Sequence, residues 1–353
     1  MPTLFDPLVA GEIQLSNRIV MAPLTRARAG KERVPNALMA EYYRQRADAG
    51  LILSEATAVT PMGVGYENTP GIWSTQQVEG WKLITRAVHE RGGTIVMQLW
   101  HVGRISDPSL LDGALPVAPS AIAASGHVSL LRPMRPYAQP RALETREIPG
   151  IVEAYRQGAE NAQLAGFDGM EIHAANGYLI DQFLQSGTNR RTDAYGGPVE
   201  NRARLLLEVA DAAISVWGAG RVGVHLSPRG ASHDIHDADP AATFGYVASE
   251  LGKRNVAFLF IREPLREDAL FPELKRRFGG VVIANQGFDA VQATESVRSE
   301  SADAVAFGVG YIATPDLSER LRLGVPWNEP VKETFYGSGA EGYTDYPAWS
   351  RVL

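Results

Sequence analysis

The sequence has no cysteine among its 353 residues. Disulfide bonds and thiolate chemistry are therefore excluded, and a cytoplasmic protein is expected. It also has no run approaching the roughly 18 apolar residues that a membrane-spanning helix needs, and its first residues do not resemble a signal peptide. Basic residues are spread along the chain, and the formal net charge is -6. These absences argue against membrane and nucleic-acid partners.

Eight short apolar stretches with high β-propensity recur along the chain. Each is nearly continuous rather than alternating, which is typical of parallel strands that are covered on both faces. The predicted strands are RIVMAPL (18–24), GLILSEAT (50–57), TIVMQLW (94–100), GMEIH (169–173), RVGVHLS (221–227), VAFLFIR (256–262), GVVIANQ (280–286) and ADAVAFG (302–308).

Helical patterns separate most of these strands. The clearest is PVENRARLLLEVADAAISVWG (198–218), where Pro198 suits the first turn and Gly218 ends the helix. Eight strand–helix units in a chain of this length predict an α/β fold of the (β/α)8 TIM barrel type, with residues 1–353 as a single domain. A doubly wound sheet is the alternative, but it would normally have fewer strands before a second domain began.

Two segments depart from the strand–helix repeat. Residues 101–150 follow the third strand and hold seven of the 22 prolines. In a barrel this excursion would be a loop on the face where active sites lie. The opening LFDPLVAGEIQLSN predicts two short strands around Gly11, as an N-terminal hairpin that closes the floor of the barrel.

The stretch GMEIHAANGYLIDQFL (169–184) begins as a strand and ends as a helix, with three polar side chains between. His173 and Asn176 can each direct a donor at one oxygen, and Tyr178 is a neutral acid at neutral pH. Such a set suits a reaction that builds enolate charge and then protonates carbon. The alternative is structural: a core histidine, a turn residue and an aromatic residue at a helix start.

The other histidines allow a metal site as a second interpretation. His101, His225, His233 and His236 lie near predicted strand ends or in loops, and SHDIHDAD (232–239) has a His-x-x-His spacing. The spacing falls in a polar loop without the helix that a zinc motif requires. No metal is therefore expected, although a metal-dependent barrel hydrolase stays open as a rival function.

Several long motifs are specific enough to be compared with known families. They are LSNRIVMAPLTRARA, AEYYRQRADAGLILSEAT, GIWSTQQVEGWK, MQLWHVGR, HAANGYLIDQFL, TNRRTDAYGGPVENRARLLLEV, PDLSERLRLGVPWNEP and GYTDYP. In content and order they closely resemble the Old Yellow Enzyme family of flavin-dependent ene-reductases, over the whole length. The chain is most similar to the bacterial branch that acts on N-ethylmaleimide, nitrate esters and other xenobiotic electrophiles.

The resemblance implies a barrel that holds FMN non-covalently at its strand ends. NADPH or NADH reduces the flavin, and an activated alkene then receives a hydride at its β-carbon and a proton at its α-carbon. Matched by position, His173 and Asn176 grip the activating oxygen, and Tyr178 donates the proton. The implied substrates are α,β-unsaturated carbonyls, maleimides and nitroalkenes, with nitrate esters left open. The oligomeric state is expected to be a monomer or a small homo-oligomer.

The same resemblance assigns residues to the flavin and to the substrate. The flavin set is Pro23, Leu24, Thr25, Ala58, Gln98, His225, Gln286, Gly287, Gly308 and Val309, with the last four at the phosphate. The substrate mouth is assigned to Tyr66, Trp100 and Tyr343.

Two positions depart from the family pattern. His225 stands where the fifth strand usually has an arginine beside the flavin, and Val309 stands where an arginine usually grips the phosphate. A histidine at 225 either titrates with pH or stays neutral and donates one hydrogen bond. Arg221, Arg229 and Arg262 are candidates to compensate. A flavin-poor relative with weak turnover is therefore the second rival function.

Overall fold

Eight parallel strands close into a barrel in the computed structural model, which describes residues 1–350. The first strand pairs with the second and the eighth, and the second pairs with the third, so the sheet closes on itself. The barrel strands are Ile19–Met21, Leu51–Leu53, Ile95–Trp100, Gly169–Ala174, Val222–Leu226, Phe258–Arg262, Val281–Asn285 and Ala304–Phe307. All eight predicted strands and the TIM barrel are confirmed, and the doubly wound alternative is wrong.

Helices surround the barrel and bury their apolar faces against it. They are Ala37–Arg44, Thr75–His89, Ile148–Leu164, Leu179–Leu184, Val199–Trp217, Pro240–Lys253, Phe271–Phe278, Ala290–Arg298, Val309–Ala313 and Leu317–Leu323. The helix with the clearest sequence pattern, Val199–Trp217, begins directly after Pro198. It ends at Gly218, whose φ of 73° favours glycine.

The N-terminal hairpin lies at the floor of the barrel, as predicted. Leu8–Ala10 pairs antiparallel with Ile13–Leu15 around Gly11. The amide of Glu12 donates to the carbonyl of Gly220 at 2.7 Å, which fastens the hairpin at the start of the fifth strand. Apolar side chains of the hairpin pack with those of the barrel interior, so the lower half of the barrel is a core rather than a channel.

The excursion after the third strand folds over the opposite end of the barrel. It contains the paired two-residue strands Val117–Ala118 and Arg141–Ala142 and is otherwise irregular. Its apolar residues form a cluster with Trp100 at the end of the third strand. The predicted position of this loop, on the face with the carboxyl ends of the strands, is confirmed.

Candidate active site

A cavity of about 1250 Å³ lies at the carboxyl ends of the barrel strands. Ligand pockets are typically roughly 300–1,000 Å³, so it has room for a cofactor and a second small molecule. Thirteen of the residues selected from the sequence line it. They are Pro23, Leu24, Thr25, Gln98, Trp100, His173, Asn176, Tyr178, His225, Gln286, Gly287, Gly308 and Val309.

The fourth strand brings the predicted histidine, amide and phenol to one wall. His173 pairs in register with His225 of the fifth strand, and their rings stack 5.0 Å apart. The chain then turns sharply, because Asn176 and Gly177 both have a left-handed backbone, with φ of 59° and 78°. A side chain at Gly177 would place its Cβ 2.7 Å from the carbonyl oxygen of Ser232. Glycine is therefore required at this turn for both conformation and space.

Hydrogen bonds to two buried residues, Ser227 and Asp181, hold this turn in place. The amide of Asn176 donates to Oγ of Ser227 at 2.8 Å, and the amide of Gly177 donates to Oδ2 of Asp181 at 2.9 Å. Asp181 lies in Leu179–Leu184, a helix whose residues are all buried. The turn therefore presents Asn176 and Tyr178 from a rigid support, which is what a catalytic group needs.

Tyr178 is linked to two further polar side chains. Its hydroxyl lies 3.0 Å from the hydroxyl of Tyr66, which in turn lies 3.4 Å from Nε2 of His233. Nδ1 of His233 donates to the carbonyl of Asn176 at 2.7 Å, because a carbonyl can only accept. Burial raises the pKa of Tyr178, so its phenol is protonated at neutral pH. Sequence reasoning did not assign His233 to this site, since it lies in an irregular loop.

The two stacked histidines are neutral at neutral pH. Burial, with the nearby positive charge of Arg262, lowers the pKa of His173 to about 3. Burial also lowers the pKa of His225 well below its ordinary value, with His173 and Arg262 adding to the effect. A histidine at position 225 therefore does not supply the permanent cation that an arginine would supply there.

A buried carboxyl group lies below these histidines and was missed in the sequence. Nε2 of Gln98 donates to Oε2 of Glu171 at 2.6 Å and lies 3.0 Å from Nδ1 of His225. Burial raises the pKa of Glu171 to about 8, although the hydrogen bond from Gln98 opposes the shift. Glu171 is two residues before His173, so the period of two along a strand places both on the inner face of the barrel.

Of the three arginines considered as compensating cations, one lines the cavity. Arg262 ends the sixth strand, and its Nη1 donates to Oδ1 of Asn176 at 2.8 Å. Arg221 bonds with Glu12 and the carbonyl of Asp168 at the floor of the barrel. Arg229 pairs with Glu263 and Asp268 instead.

The wall after the seventh and eighth strands is made largely of backbone. Gln286 and Gly287 have φ of 100° and 81°, and Gly308 precedes the short helix Val309–Ala313. The space that a side chain would fill at Gly287 is empty to 4 Å, and at Gly308 only Leu24 comes within that range. Backbone can therefore approach a ligand closely on this wall.

Comparison with known proteins shows the family to which this chain belongs. Residues 3–328 match the model described as the NADH:flavin oxidoreductase / NADH oxidase family. The chain belongs to that family. A probable flavin mononucleotide-dependent alkene reductase of Leishmania infantum is 43% identical over 98% of this chain and 97% of its own length. The resemblance to the Old Yellow Enzyme family is confirmed.

Solved structures of the family superimpose closely on this chain. Morphinone reductase, solved in complex with tetrahydroNAD, has a TM-score of 0.96 and 50% identity, and covers 99% of both chains. The old yellow enzyme homologue of Zymomonas mobilis has a TM-score of 0.96 and 45% identity, and covers 98% of this chain and 99% of its own. Family membership makes this chain an FMN-dependent oxidoreductase whose hydride donor is a nicotinamide dinucleotide.

The residues of the cavity fit the flavin that the family binds. Buried polar atoms without a hydrogen-bond partner in residues 1–350 include Nδ1 of His173, Nε1 of Trp100 and Nε2 of His225 on the cavity lining, and Oε1 of the neighbouring Glu171. Buried polar groups are rarely left unpaired without a ligand or water to satisfy them. Together with the open backbone at Gly287 and Gly308, they leave groups suited to a polar ring and a phosphate.

Three of the selected residues lie off the cavity wall. Tyr343 is fully buried and stacks on Tyr42 at 4.1 Å, beneath the guanidinium of Arg28 at 4.3 Å. It was expected at the substrate mouth, but its ring packs against Tyr42 and Arg28 and anchors the C-terminal segment. Two aromatic residues of the same segment, Phe335 and Tyr336, line the cavity instead.

Tyr66 and Ala58 also lie outside the lining of the cavity. Tyr66 stacks on Trp100 at 5.6 Å and supports Tyr178 from behind. Ala58 is fully buried beside Trp100, because Thr57–Ala58 forms a short strand along the third strand and packs outward. Ala56, two residues earlier, lines the cavity. An offset of two residues in an irregular connection leaves no periodic signal in the sequence.

The structure also bears on metals and membranes within residues 1–350. No group of three or more histidine, aspartate or glutamate side chains in this range is arranged to hold a metal ion. Helices in the described part of the chain are too short or too polar to cross a membrane.

Proposed function

We propose that this chain is an ene-reductase that reduces activated C=C bonds with hydride from NADPH or NADH through FMN. The substrates are α,β-unsaturated carbonyls, maleimides and nitroalkenes. The observation that carries the proposal is the convergence of His173, Asn176 and Tyr178 on one wall of a cavity that is large enough for a flavin and a substrate. We treat residues 1–353 as one FMN-binding domain.

FMN, when bound, supplies the hydride transfer from NAD(P)H to the alkene. Pro23, Leu24, Thr25, Gln98 and His225 line the part of the cavity suited to its ring. Gln286, Gly287, Gly308 and Val309 line the part suited to its phosphate. Backbone amides can bind a phosphate in the absence of an arginine, which supports a functional site despite Val309.

His173 and Asn176 bind the activating oxygen of the substrate and polarise it. His173 is neutral, so one ring nitrogen carries a hydrogen and acts as a donor. Asn176 contributes its side-chain N–H, because its oxygen is occupied by Arg262. Two donors on one oxygen stabilise the charge that develops when the β-carbon receives a hydride.

Tyr178 protonates the α-carbon. Its burial keeps the phenol protonated at neutral pH, and its edge-on contact with Trp100 at 4.9 Å fixes the ring. The hydrogen bond with Tyr66 holds the hydroxyl in place and offers a path for the proton to be replaced. A neutral acid suits this step, since no charge has to be buried before the reaction.

The cavity also has to accept the nicotinamide, because the sequence has no separate dinucleotide-binding fingerprint. Hydride donor and alkene then bind in turn. We further propose that the protein acts in the cytoplasm, as a monomer or a small homo-oligomer, and that it has no nucleic-acid partner. The net charge of -6 is in accord with the absence of a nucleic-acid partner.

Anaerobic titration of the purified protein tests the function directly. A yellow protein whose flavin absorbance is lost with NADPH and returns with 2-cyclohexenone is expected. Parallel titration with NADH gives the preferred donor. A colourless protein that does not take up added FMN would instead support the flavin-poor alternative, which His225 and Val309 motivated. Flavin that is reduced by NADPH but not reoxidised by any activated alkene would contradict the proposed substrate class.

A further inference from the structure

Arg262 is the single arginine or lysine among the residues that line the cavity. It ends the sixth strand, where it pairs in register with Asn285 of the seventh. Within residues 1–350 its guanidinium forms no ion pair, in contrast to Arg229, which pairs with Glu263 and Asp268. The two carboxylates that line the cavity, Asp289 and Glu329, are exposed. A full positive charge is therefore available to a ligand.

The contact of Arg262 determines which way the amide of Asn176 points. Nη1 of Arg262 lies 2.8 Å from the side chain of Asn176. A guanidinium has donors only, so the atom that it contacts must be the amide oxygen. The amide nitrogen of Asn176 is consequently directed away from Arg262, as a donor for a ligand oxygen.

Other groups around this position supply no charge at neutral pH. Burial lowers the pKa of His173, His225 and His233, and burial raises the pKa of Tyr178. Burial also lowers the pKa of Arg262, but a guanidinium starts so high that it stays protonated. The charge that an oxygen meets between His173 and Asn176 is thus set by Arg262.

We propose that Arg262 is a specificity-determining residue of this site, which fixes the amide of Asn176 and makes the site prefer ligands with a negatively charged oxygen. The favoured substrates are activated alkenes that carry a carboxylate beside the activating carbonyl. Phenols, which are not reduced, are suitable probes of the same preference. The inference rests on the proposed function, because it takes His173 and Asn176 as the oxygen-binding pair.

A guanidinium gains most when its partner is an anion. Charge-assisted hydrogen bonds are shorter and stronger than neutral ones, and a guanidinium can bind a carboxylate through two parallel N–H groups. A neutral ketone would gain little from the same residue. Arg262 is therefore expected to separate anionic from neutral ligands rather than to raise all affinities equally.

Binding of para-substituted phenols of graded acidity to the FMN-loaded enzyme tests the proposal without turnover. Dissociation constants are measured at one pH from the change in flavin absorbance, for wild type, Arg262→Gln and Arg262→Lys. Wild-type affinity should rise with the acidity of the phenol. Arg262→Gln should lose about 10- to 100-fold for the most acidic phenol and little for the least acidic, the scale of a hydrogen bond to a charged group. Arg262→Lys should retain part of the dependence.

Two further variants separate the residue's two roles. In an Asn176→Ala background, Arg262→Gln should cost less than in wild type, because the orientation of the amide is already lost. Arg229→Gln is the matched control, since that arginine lies outside the cavity and pairs with acids. It should leave the whole phenol series unchanged.

Equal losses for every phenol in Arg262→Gln would overturn the proposal, as would a wild-type affinity that does not depend on phenol acidity. A rising wild-type series does not by itself assign the preference to Arg262, because His173 and Asn176 also donate to an anionic oxygen. If Arg262→Gln does not fold, Arg262→Lys takes its place, and an unchanged series in that variant would overturn the proposal. Reduction of 2-cyclohexenone by wild type is followed in parallel. If wild type reduces the enone but binds all phenols with the same affinity, this inference alone is contradicted. If wild type reduces no activated alkene, the proposed function is contradicted.

Discussion

The fourth-strand wall of the cavity presents side chains, whereas the wall after the seventh and eighth strands presents mainly backbone. On the first wall, His173, Asn176 and Tyr178 each have a defined partner or stacking contact. On the second, Gly287 and Gly308 leave space for a ligand beside the chain. Chemistry at carbon depends on particular functional groups, while a phosphate can be bound by amides that any residue carries.

This difference bears on the departure from the family pattern at Val309. The resemblance implies that Val309 replaces an arginine at the phosphate, and the valine side chain is half exposed. Its amide is unaffected by the replacement. A replacement of Tyr178 would remove the proton donor itself, and no backbone group could take its place. Variants on the fourth-strand wall should therefore change alkene reduction, whereas variants on the backbone wall should change FMN binding and have smaller effects.

Tyr178→Phe should have the largest effect on turnover. Alkene reduction should slow by about 10²- to 10⁴-fold, the usual contribution of a general acid, while flavin reduction by NADPH stays close to wild type. Stopped-flow measurement of the two half-reactions checks this. Nitroalkenes, whose carbanion is already stable, should lose less at the hydride step. Equal slowing of both half-reactions would contradict the assigned role.

His173→Ala and Asn176→Ala should each lower kcat/KM for enones by about 10²- to 10³-fold, the scale of one oxyanion-hole donor. Phenol binding should weaken in the same variants. The double variant should cost less than the sum of the two, because both donors act on one oxygen. Strict additivity in kcat/KM would indicate separate oxygens.

Val309→Arg should tighten FMN binding, because it adds a cation to the wall that otherwise presents mainly backbone. A gain of about 10-fold is expected, because a partly exposed cation adds a modest charge-assisted contact. Fluorescence titration of the apoprotein with FMN measures it. Val9→Arg is the matched control, since Val9 is similarly exposed but lies in the floor hairpin. A similar gain in both variants would mean that general charge, not position, is responsible.

Of these substitutions, His225→Arg should have the smallest effect, because it should leave the pH dependence of the flavin midpoint potential unchanged. The pKa of His225 lies well below its ordinary value, so the histidine is neutral across the neutral range and gains a proton only in acid. The flavin midpoint potential should therefore change with pH between about 6 and 8 along parallel lines in wild type and variant. Potentiometric titration decides between this and a titrating histidine, for which the wild-type line would be steeper.

The fold was predictable from the sequence to a large extent. Near-continuous apolar strands and helix-terminating residues such as Gly218 indicated a parallel barrel with all eight strands in place. The residues at strand ends, such as His173 and His225, were also placed correctly on the cavity. Strand periodicity fixes their direction once the barrel is known. Their chemical roles stay predictions until the variants are measured.

Residues in irregular segments were predicted less well. Tyr343 and Ala58 were expected at the cavity and are buried elsewhere, while Ala56 and Tyr336 line it. A loop has no period from which the direction of a side chain can be read.

The sequence by itself determined the barrel, the order of its strands and the motif that ends the fourth strand, because these follow from local patterns of apolar residues and turns. Only the tertiary structure decided which charges reach the cavity. Arg221, Arg229 and Arg262 were equivalent in the sequence, yet one lies at the floor, one is paired with acids and one contacts Asn176. Burial likewise made His225 neutral. Charge and direction depend on neighbours that are distant in the chain, and those neighbours exist only once the barrel has closed.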